Sequence, residues 1–248
     1  MWIDFVRPRT WIKSYYGIGM RKLWWIPLLV VMCACQRDAT QLPTAASKDS
    51  APASTAKAAP KAVDNRPAIV CFGDSLTAGF GVDPGKSYPD LLQAELDRGG
   101  YRYRIVNFGV SGDTTQDGIE RLPLVLAEMP RVVLLEFGAN DGLRGQPVSI
   151  AEANLSQMIE ALQKAGIITV LAGITLPPNY GPDYIRKFNA IYSELATKYQ
   201  LPMIPFLLAG AAGHPDLMQQ DGLHPNAEGT RLVAENVARV LEPLLRRD

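Results

Sequence analysis

Histidine is scarce in this chain: its 248 residues include two, His214 and His224. A metal centre built on several histidines is thereby excluded, although a site made of carboxylates alone stays open. Cysteine is nearly as rare at three, and Cys33 and Cys35 lie together near the start, which leaves Cys71 by itself. No disulfide framework can be made from that set. An excess of charge is also missing, with 25 Lys and Arg against 25 Asp and Glu. Without a global basic field to collect phosphate backbones, nucleic acid is not an expected partner. The apolar run Leu23–Met32 is interrupted by Pro27 and as a helix spans only about 15 Å of a roughly 30 Å hydrocarbon layer, so a stable transmembrane helix is not expected either. What remains is 47% hydrophobic and 20% charged, and its length suits one medium-sized domain with an appendage.

The appendage is N-terminal. Arg21 and Lys22 precede the apolar run, and Cys33-Ala34-Cys35 follows it, the charged, greasy, small-residue order of an export signal. Val31-Met32-Cys33-Ala34-Cys35 resembles a bacterial lipobox, in which Cys35 becomes the lipidated first residue of the mature protein. Met20 starts a more ordinary signal than Met1, so residues 1–19 are read as an upstream extension of the reading frame, a point that N-terminal sequencing of the precursor would test. The alternative is an uncleaved interfacial anchor rich in Trp. Either reading places the domain outside the cytoplasm, in the cell envelope and facing the periplasm, held at the membrane through Cys35 in the first case. Residues 36–66 are mostly Ala, Ser, Thr, Lys and Pro, with no aromatic side chain and Leu42 and Val63 the only large apolar ones, too little apolar surface to offset ordering entropy. A flexible tether with an average reach of about 30 Å is expected there.

The domain, 67–248, has an α/β pattern. Short apolar runs at Ala68–Phe72, Tyr103–Phe108, Arg131–Phe137, Ile167–Ile174 and Leu201–Phe206 have strand length. Stretches of helical period follow Pro89, Ser149, Pro182 and Asn226. Buried strands alternating with helices predict a parallel, doubly wound sheet, whose ligands bind beyond the carboxyl ends of the strands. Polar clusters occupy those ends: Gly73-Asp74-Ser75, Ser111-Gly112-Asp113, Gly138-Ala139-Asn140-Asp141, and Asp221-Gly222-Leu223-His224 after a long loop. Each taken singly is an ordinary turn or helix cap. Together they supply one chemistry. A serine hydroxyl needs a base to take its proton, which His224 can provide while Asp221 holds its imidazole. The oxyanion formed at an acyl carbonyl needs donors already aimed at it, and the N–H groups of Ser75 and Gly112 with the Asn140 amide are available. His214 has no Asp at the same spacing and is read as a surface loop residue.

These blocks, with Gly73-Asp74-Ser75-Leu76, Gly112, Asn140-Asp141 and Asp221-Gly222-Leu223-His224-Pro225 in order, resemble those of the GDSL, or SGNH, hydrolases. The fuller segments Val110–Thr115, Gly138–Gly145 and Leu176–Gly181 are similar to the bacterial thioesterase I and arylesterase subgroup, and the likeness runs from Ala68 to about Arg247. One departure is Ala139, where relatives often carry a second glycine. The resemblance implies a three-layer αβα sandwich with a five-stranded flavodoxin-like sheet, and hydrolysis of esters and thioesters without cofactor or metal. It also implies Ser75, Asp221 and His224 as the catalytic triad, Ser75, Gly112 and Asn140 as the oxyanion hole, and the loop of Pro178 and Tyr180 as a wall of the acyl pocket, to which Leu143 and Phe206 are added by position.

Competing motifs fail. Gly79–Ser87 ends like a phosphate-binding loop, but Phe80 stands where its first glycine is required and Pro84 removes a donor. The Gly-x-Ser-x-Gly elbow of α/β-hydrolases is absent around Ser75, and Cys71, mid-strand, reads as a small core residue. The expected substrate is a small-molecule ester, aryl, acyl or lysophospholipid. The alternatives are a carbohydrate O-acetylesterase and a non-catalytic lipoprotein that binds acyl chains.

Overall fold

The computed structural model describes residues 64–247. The signal-like segment 1–35 with Cys35, and all of the linker before residue 64, lie outside the described residues. The last linker residues meet the domain: Arg66 pairs with Asp64 at 2.7 Å and with Asp97 at 2.9 Å. Among the described residues no helix is long and apolar enough to cross a membrane.

One parallel sheet holds β1 (Ala68–Gly73), β2 (Arg104–Gly109), β3 (Val132–Glu136), β4 (Ile168–Ala172) and β5 (Met203–Ile204), in the order β2-β1-β3-β4-β5. Val70 stands level with Val106 on one side and Val133 on the other, and Leu135 level with Leu171. Every residue of β1 and β3 is buried, which is why their sequences read as apolar runs rather than alternating ones, with Glu136 at the end of β3 the exception. The helices are α1 (Ser75–Ala78), α2 (Tyr88–Arg98), α3 (Thr115–Ala127), α4 (Ala139–Leu143), α5 (Val148–Lys164), α6 (Pro182–Tyr199) and α7 (Ala227–Leu241). Helix α2 packs on α7, while α5 packs on both α3 and α6. The result is the flavodoxin-like α/β sandwich that the pattern and the resemblance implied.

Polar side chains start these helices where the sequence offers them. Ser87 and Asp90 form a capping box on α2, Thr114 and Asp117 another on α3, and the Asn226 side chain accepts from Glu228 and Gly229 at the head of α7. Between the layers, Phe72 and Phe137 meet edge to face with ring centroids 4.8 Å apart, Phe188 and Tyr192 meet with centroids 5.7 Å apart, and Tyr88 is likewise fully buried. Each such buried ring contributes on the order of 1.5–3 kcal/mol of apolar burial. Cys71 lies fully buried in β1, and burial pushes its thiol up to about 12, as befits a core residue and not a nucleophile.

Two expectations are corrected in detail. The fifth strand is two residues long and not the span Leu201–Phe206, because Pro202 and Pro205 flank it and lack the N–H that a ladder needs. After β1 the turn is capped by Asp74 and opens the short helix α1, whereas Asn140-Asp141-Gly142, an ordinary turn when taken singly, lies within the short helix α4.

The strand order has a functional consequence. From β1 the chain crosses outward to the edge strand β2, and from β3 it crosses the other way, towards β4 and β5. β1 and β3 are neighbours, so the loops at their carboxyl ends diverge and leave a crevice between them.

Candidate active site

Ser75 begins α1 at the end of β1, on one side of that crevice, and Asn140 lies in α4 at the end of β3, on the other. Gly73 permits this arrangement. A Cβ there would lie 2.3 Å from both the Glu136 carboxyl and the Thr77 hydroxyl, so no larger residue fits at the turn. Asp74 fills its ordinary role as helix cap, accepting from the Leu76 N–H at 3.0 Å. The Ser75 N–H, at the first helical position, is one of the amides that helix geometry leaves without an intrahelical acceptor.

The loop before α7 brings in the base. His224 Nε2 lies 2.8 Å from Ser75 Oγ, and its Nδ1 lies 2.7 Å from Asp221 Oδ2. The short spacing of Asp221 and His224 closes on itself: Asp221 Oδ1 accepts the backbone N–H groups of Leu223 at 2.9 Å and His224 at 3.0 Å. Burial by itself would raise the Asp221 carboxyl, but the bonds it accepts from the His224 ring and from these two amides outweigh that and hold it below the usual range. Asp221 is therefore a fixed anion behind the imidazole. His214 lies apart, exposed in a neighbouring hollow with Met218 and Gln219.

The third loop, after β2, carries Gly112 in a left-handed conformation at φ +89°, which glycine adopts without strain. Two arginines fix this loop. Arg144, at the end of α4, donates to the Gly112 carbonyl at 2.8 Å. Arg121 of α3 donates to Asp113 Oδ2 at 2.6 Å and to the carbonyls of Phe108 and Gly73 at 3.0 and 3.2 Å, which ties the ends of β1 and β2 together. The Asn140 amide donates to the Asp113 carbonyl at 2.9 Å and to Asp74 Oδ2 at 3.2 Å, joining all three loops. Its neighbour Asp141 turns the opposite way and accepts from the N–H and hydroxyl of Thr115 at 2.9 and 2.6 Å, locking α4 to the start of α3.

Ser75, His224 and Asn140 open on a cleft of about 80 Å³ whose apolar wall is Leu76, Leu143, Ile174, Leu176, Leu208 and Leu223. Of the pocket residues expected from sequence, Leu143 lines it and three do not. Pro178 lies exposed on the outside of a 3₁₀ turn, Pro178–Tyr180, and Pro177 faces the cleft instead. Tyr180 stands behind Leu143 and donates to its carbonyl at 2.8 Å, so it braces the wall without forming it. Phe206 opens on a separate hollow with Asn189 and Met203, beyond Ile174 and Thr175. Ala139, the departure from the resemblance, lines the cleft without obstructing it.

Phe80 was missed in the sequence except as the residue that spoils a phosphate loop. Its ring lies over His224, centroids 4.7 Å apart, while remaining 50% exposed. Its carbonyl accepts from Gln219 at 2.8 Å, a partner 139 positions away, so no local signal could have found it. Among the described residues no group of three His, Cys, Asp or Glu side chains converges as a metal site.

Comparison with known proteins agrees with this geometry. A model of the GDSL-like lipase/acylhydrolase family matches residues 71–232. The chain is 42% identical over 178 residues to a Pseudomonas aeruginosa protein named esterase TesA, covering 71% of this chain and 89% of that one. It is 38% identical over 181 residues to the Escherichia coli protein named thioesterase 1/protease 1/lysophospholipase L1, covering 73% and 86%. A crystal structure of TesA superposes with a TM-score of 0.70 at 41% identity, over 72% of this chain and 99% of that one. The matched span contains every loop that meets at the cleft, and the chain belongs to the GDSL-like lipase/acylhydrolase family.

Proposed function

We propose that the protein is a serine esterase that cleaves carboxylic esters through an acyl-enzyme on Ser75. The contact of Ser75 Oγ with His224 Nε2 at 2.8 Å, backed by Asp221 at 2.7 Å and opening on an apolar cleft, carries this reading. His224 takes the hydroxyl proton as Oγ bonds to the acyl carbon, and the carbonyl electron pair moves onto oxygen. The amides of Ser75 and Gly112 receive that oxyanion with Asn140, whose longer bond, to Asp74, is the one it shares with the substrate. Collapse expels the alcohol, which takes the proton from Nε2, and water repeats the sequence to release the acid. A cleft of about 80 Å³ suits a short or slender acyl group.

The test is turnover of p-nitrophenyl butyrate by the full chain, with labelling by a fluorophosphonate. Ser75→Ala and His224→Ala should each lose roughly a thousandfold or more in kcat while remaining folded. A folded wild type that is inactive on acetyl, butyryl and long-chain esters and unlabelled at Ser75 would favour an acyl-binding role, and turnover confined to acetylated sugars would favour an O-acetylesterase.

We further infer that the protein is lipid-anchored at Cys35 in the cell envelope, supported by the charged, apolar and small-residue order that ends at that cysteine and by the tether-like composition after it. Cys35→Ala should abolish incorporation of labelled fatty acid and release the protein from the membrane fraction. Retention of the label in that variant would overturn the assignment.

A further inference from the structure

Behind the nucleophile, a second acid is buried where the esterase chemistry gives it no task. Glu136 ends β3 with 0% exposure, and Asp74 beside it is equally buried. The Asp74 N–H donates to the Glu136 carboxyl, which sets the two acids next to each other. Glu136 Oε2 accepts from the Thr77 hydroxyl at 2.8 Å and from the Asp74 N–H at 3.2 Å, whereas its Oε1 is buried with no donor to satisfy it. Asp74 is surrounded differently: Oδ1 accepts from Leu76 and Oδ2 from Asn140. Arg121, which reaches the Gly73 carbonyl next door, gives its other bonds to Asp113 and Phe108 and not to these carboxyls.

Two ionised carboxylates cannot be held side by side in a dry interior without a cation. One proton removes the conflict, and the bonding pattern says where it resides. Asp74 has donors on both oxygens and is the natural anion, while the donorless oxygen of Glu136 is the natural carrier. We propose that Glu136 is a positioning residue that keeps a proton and shares it with Asp74, so that Asp74 retains the orientation and single charge needed to hold the Asn140 amide at the oxyanion hole. An unshared second charge there would oppose the oxyanion, and an undirected Asp74 would let the amide turn. The direction of the acidities agrees. Burial is the main cause in both, pushing Asp74 up to about 6 and Glu136 well above the ordinary carboxylate range.

Other ionisable groups face the pair from each element around it. Tyr88 of α2, bonded to the Thr77 hydroxyl at 2.9 Å, and Tyr192 of α6 have phenols that burial keeps neutral, and the Cys71 thiol of β1 is neutral for the same reason. Asp113 is matched by Arg121, Asp141 is turned onto Thr115, and His224 stands across Ser75. None of these supplies a proton to Glu136 in place of its own.

The experiment uses the full chain and two variants. Gln keeps a neutral donor, so Glu136→Gln should retain kcat within about twofold near neutral pH and should lose any alkaline fall that wild type shows as the shared proton leaves. Leu offers none, so Glu136→Leu should lose about tenfold to a hundredfold in kcat with KM little changed, the mark of a misplaced donor and not of lost binding. Independently of turnover, infrared spectra at about pH 8 should show the C=O stretch of a protonated carboxyl in wild type that is absent from Glu136→Gln. A missing band, or a folded Glu136→Gln as impaired as Glu136→Leu, overturns the proposal. If the Leu variant does not fold, the band and the Gln variant decide. The proposal rests on the serine-esterase reading, but the two fail separately: an active wild type without the band removes only the shared proton, and a band in an inactive wild type removes only the esterase.

Discussion

At the scale of single residues, the side chains at the cleft divide into those that announce themselves and those that do not. Ser75, Gly112, Asn140, Asp221 and His224 were legible because their chemistry is carried by short local blocks in a fixed order, and the loops that hold them converge on one crevice. Pro178, Tyr180 and Phe206 do not line the cleft, although Pro177 beside Pro178 does, because sequence gives a loop but not which of its side chains turns inward. Glu136 carried a signal that was passed over, a lone acid inside a strand otherwise apolar on both faces. Phe80 carried none. Its half-exposed ring lies against the imidazole, where an aryl leaving group could stack on it, and aromatic pairing adds about 0.5–1.5 kcal/mol to an apolar contact. Phe80→Ala should therefore raise KM for aryl esters by roughly threefold to tenfold and leave that for simple methyl esters nearly unchanged. Equal losses on both classes would show that the ring supports His224 and does not meet substrate.

At the scale of elements, all five strands were readable as apolar runs, four of the helices, α2, α5, α6 and α7, followed from helical period, and α3 was legible only as a helix that the Ser111–Thr114 cluster could cap. The short helices α1 and α4 were not, because too few residues are involved to show a period, and β5 was overextended because its flanking prolines were read past. These small elements are where the cleft is built. Helix α4 does not stand by its own hydrogen bonds. It is held by Asp141, which is 2% exposed and accepts twice from Thr115, and by Tyr180 and Tyr184, which donate to the Leu143 and Gln146 carbonyls at 2.8 and 2.7 Å. Asp141→Ala strands two buried donors, a loss of about 1–3 kcal/mol in urea denaturation. Since Asn140 adjoins it, kcat should fall as well, by roughly tenfold, with the Ser75 nucleophile still open to fluorophosphonate. An unchanged kcat in a destabilised variant would mean that Asn140 is held from Asp113 and Asp74 alone.

At the scale of the whole molecule, the doubly wound order decides where a site can form, and the family's chemistry is placed at the one crevice where β1 and β3 part. The domain carries acids that respond to pH in opposite senses. Asp64, Asp117 and Asp221 are held low, Asp64 and Asp117 foremost by side-chain hydrogen bonds from Arg66 and Thr114, and Asp221 by bonds that outweigh its burial. The unfolded chain binds more protons at these positions than the native one below about pH 4, so stability rises with pH there. Asp74 and Glu136 are held high by burial, Asp74 at about 6 and Glu136 further up. From about pH 4 upwards the native state keeps protons that the unfolded state has lost, so stability falls as pH rises, with a slope of about 1.4 kcal/mol per pH unit for each proton retained. The two trends meet on the acid side of neutrality. Urea midpoints measured from pH 3 to pH 8 should pass through a maximum at roughly pH 4–5. In Glu136→Gln, which removes one late-titrating acid, the decline above the maximum should be shallower. Parallel curves for the two proteins would mean that Glu136 ionises in the native state as readily as in the unfolded chain, and the buried pair would then have to be neutralised by Asp74 alone.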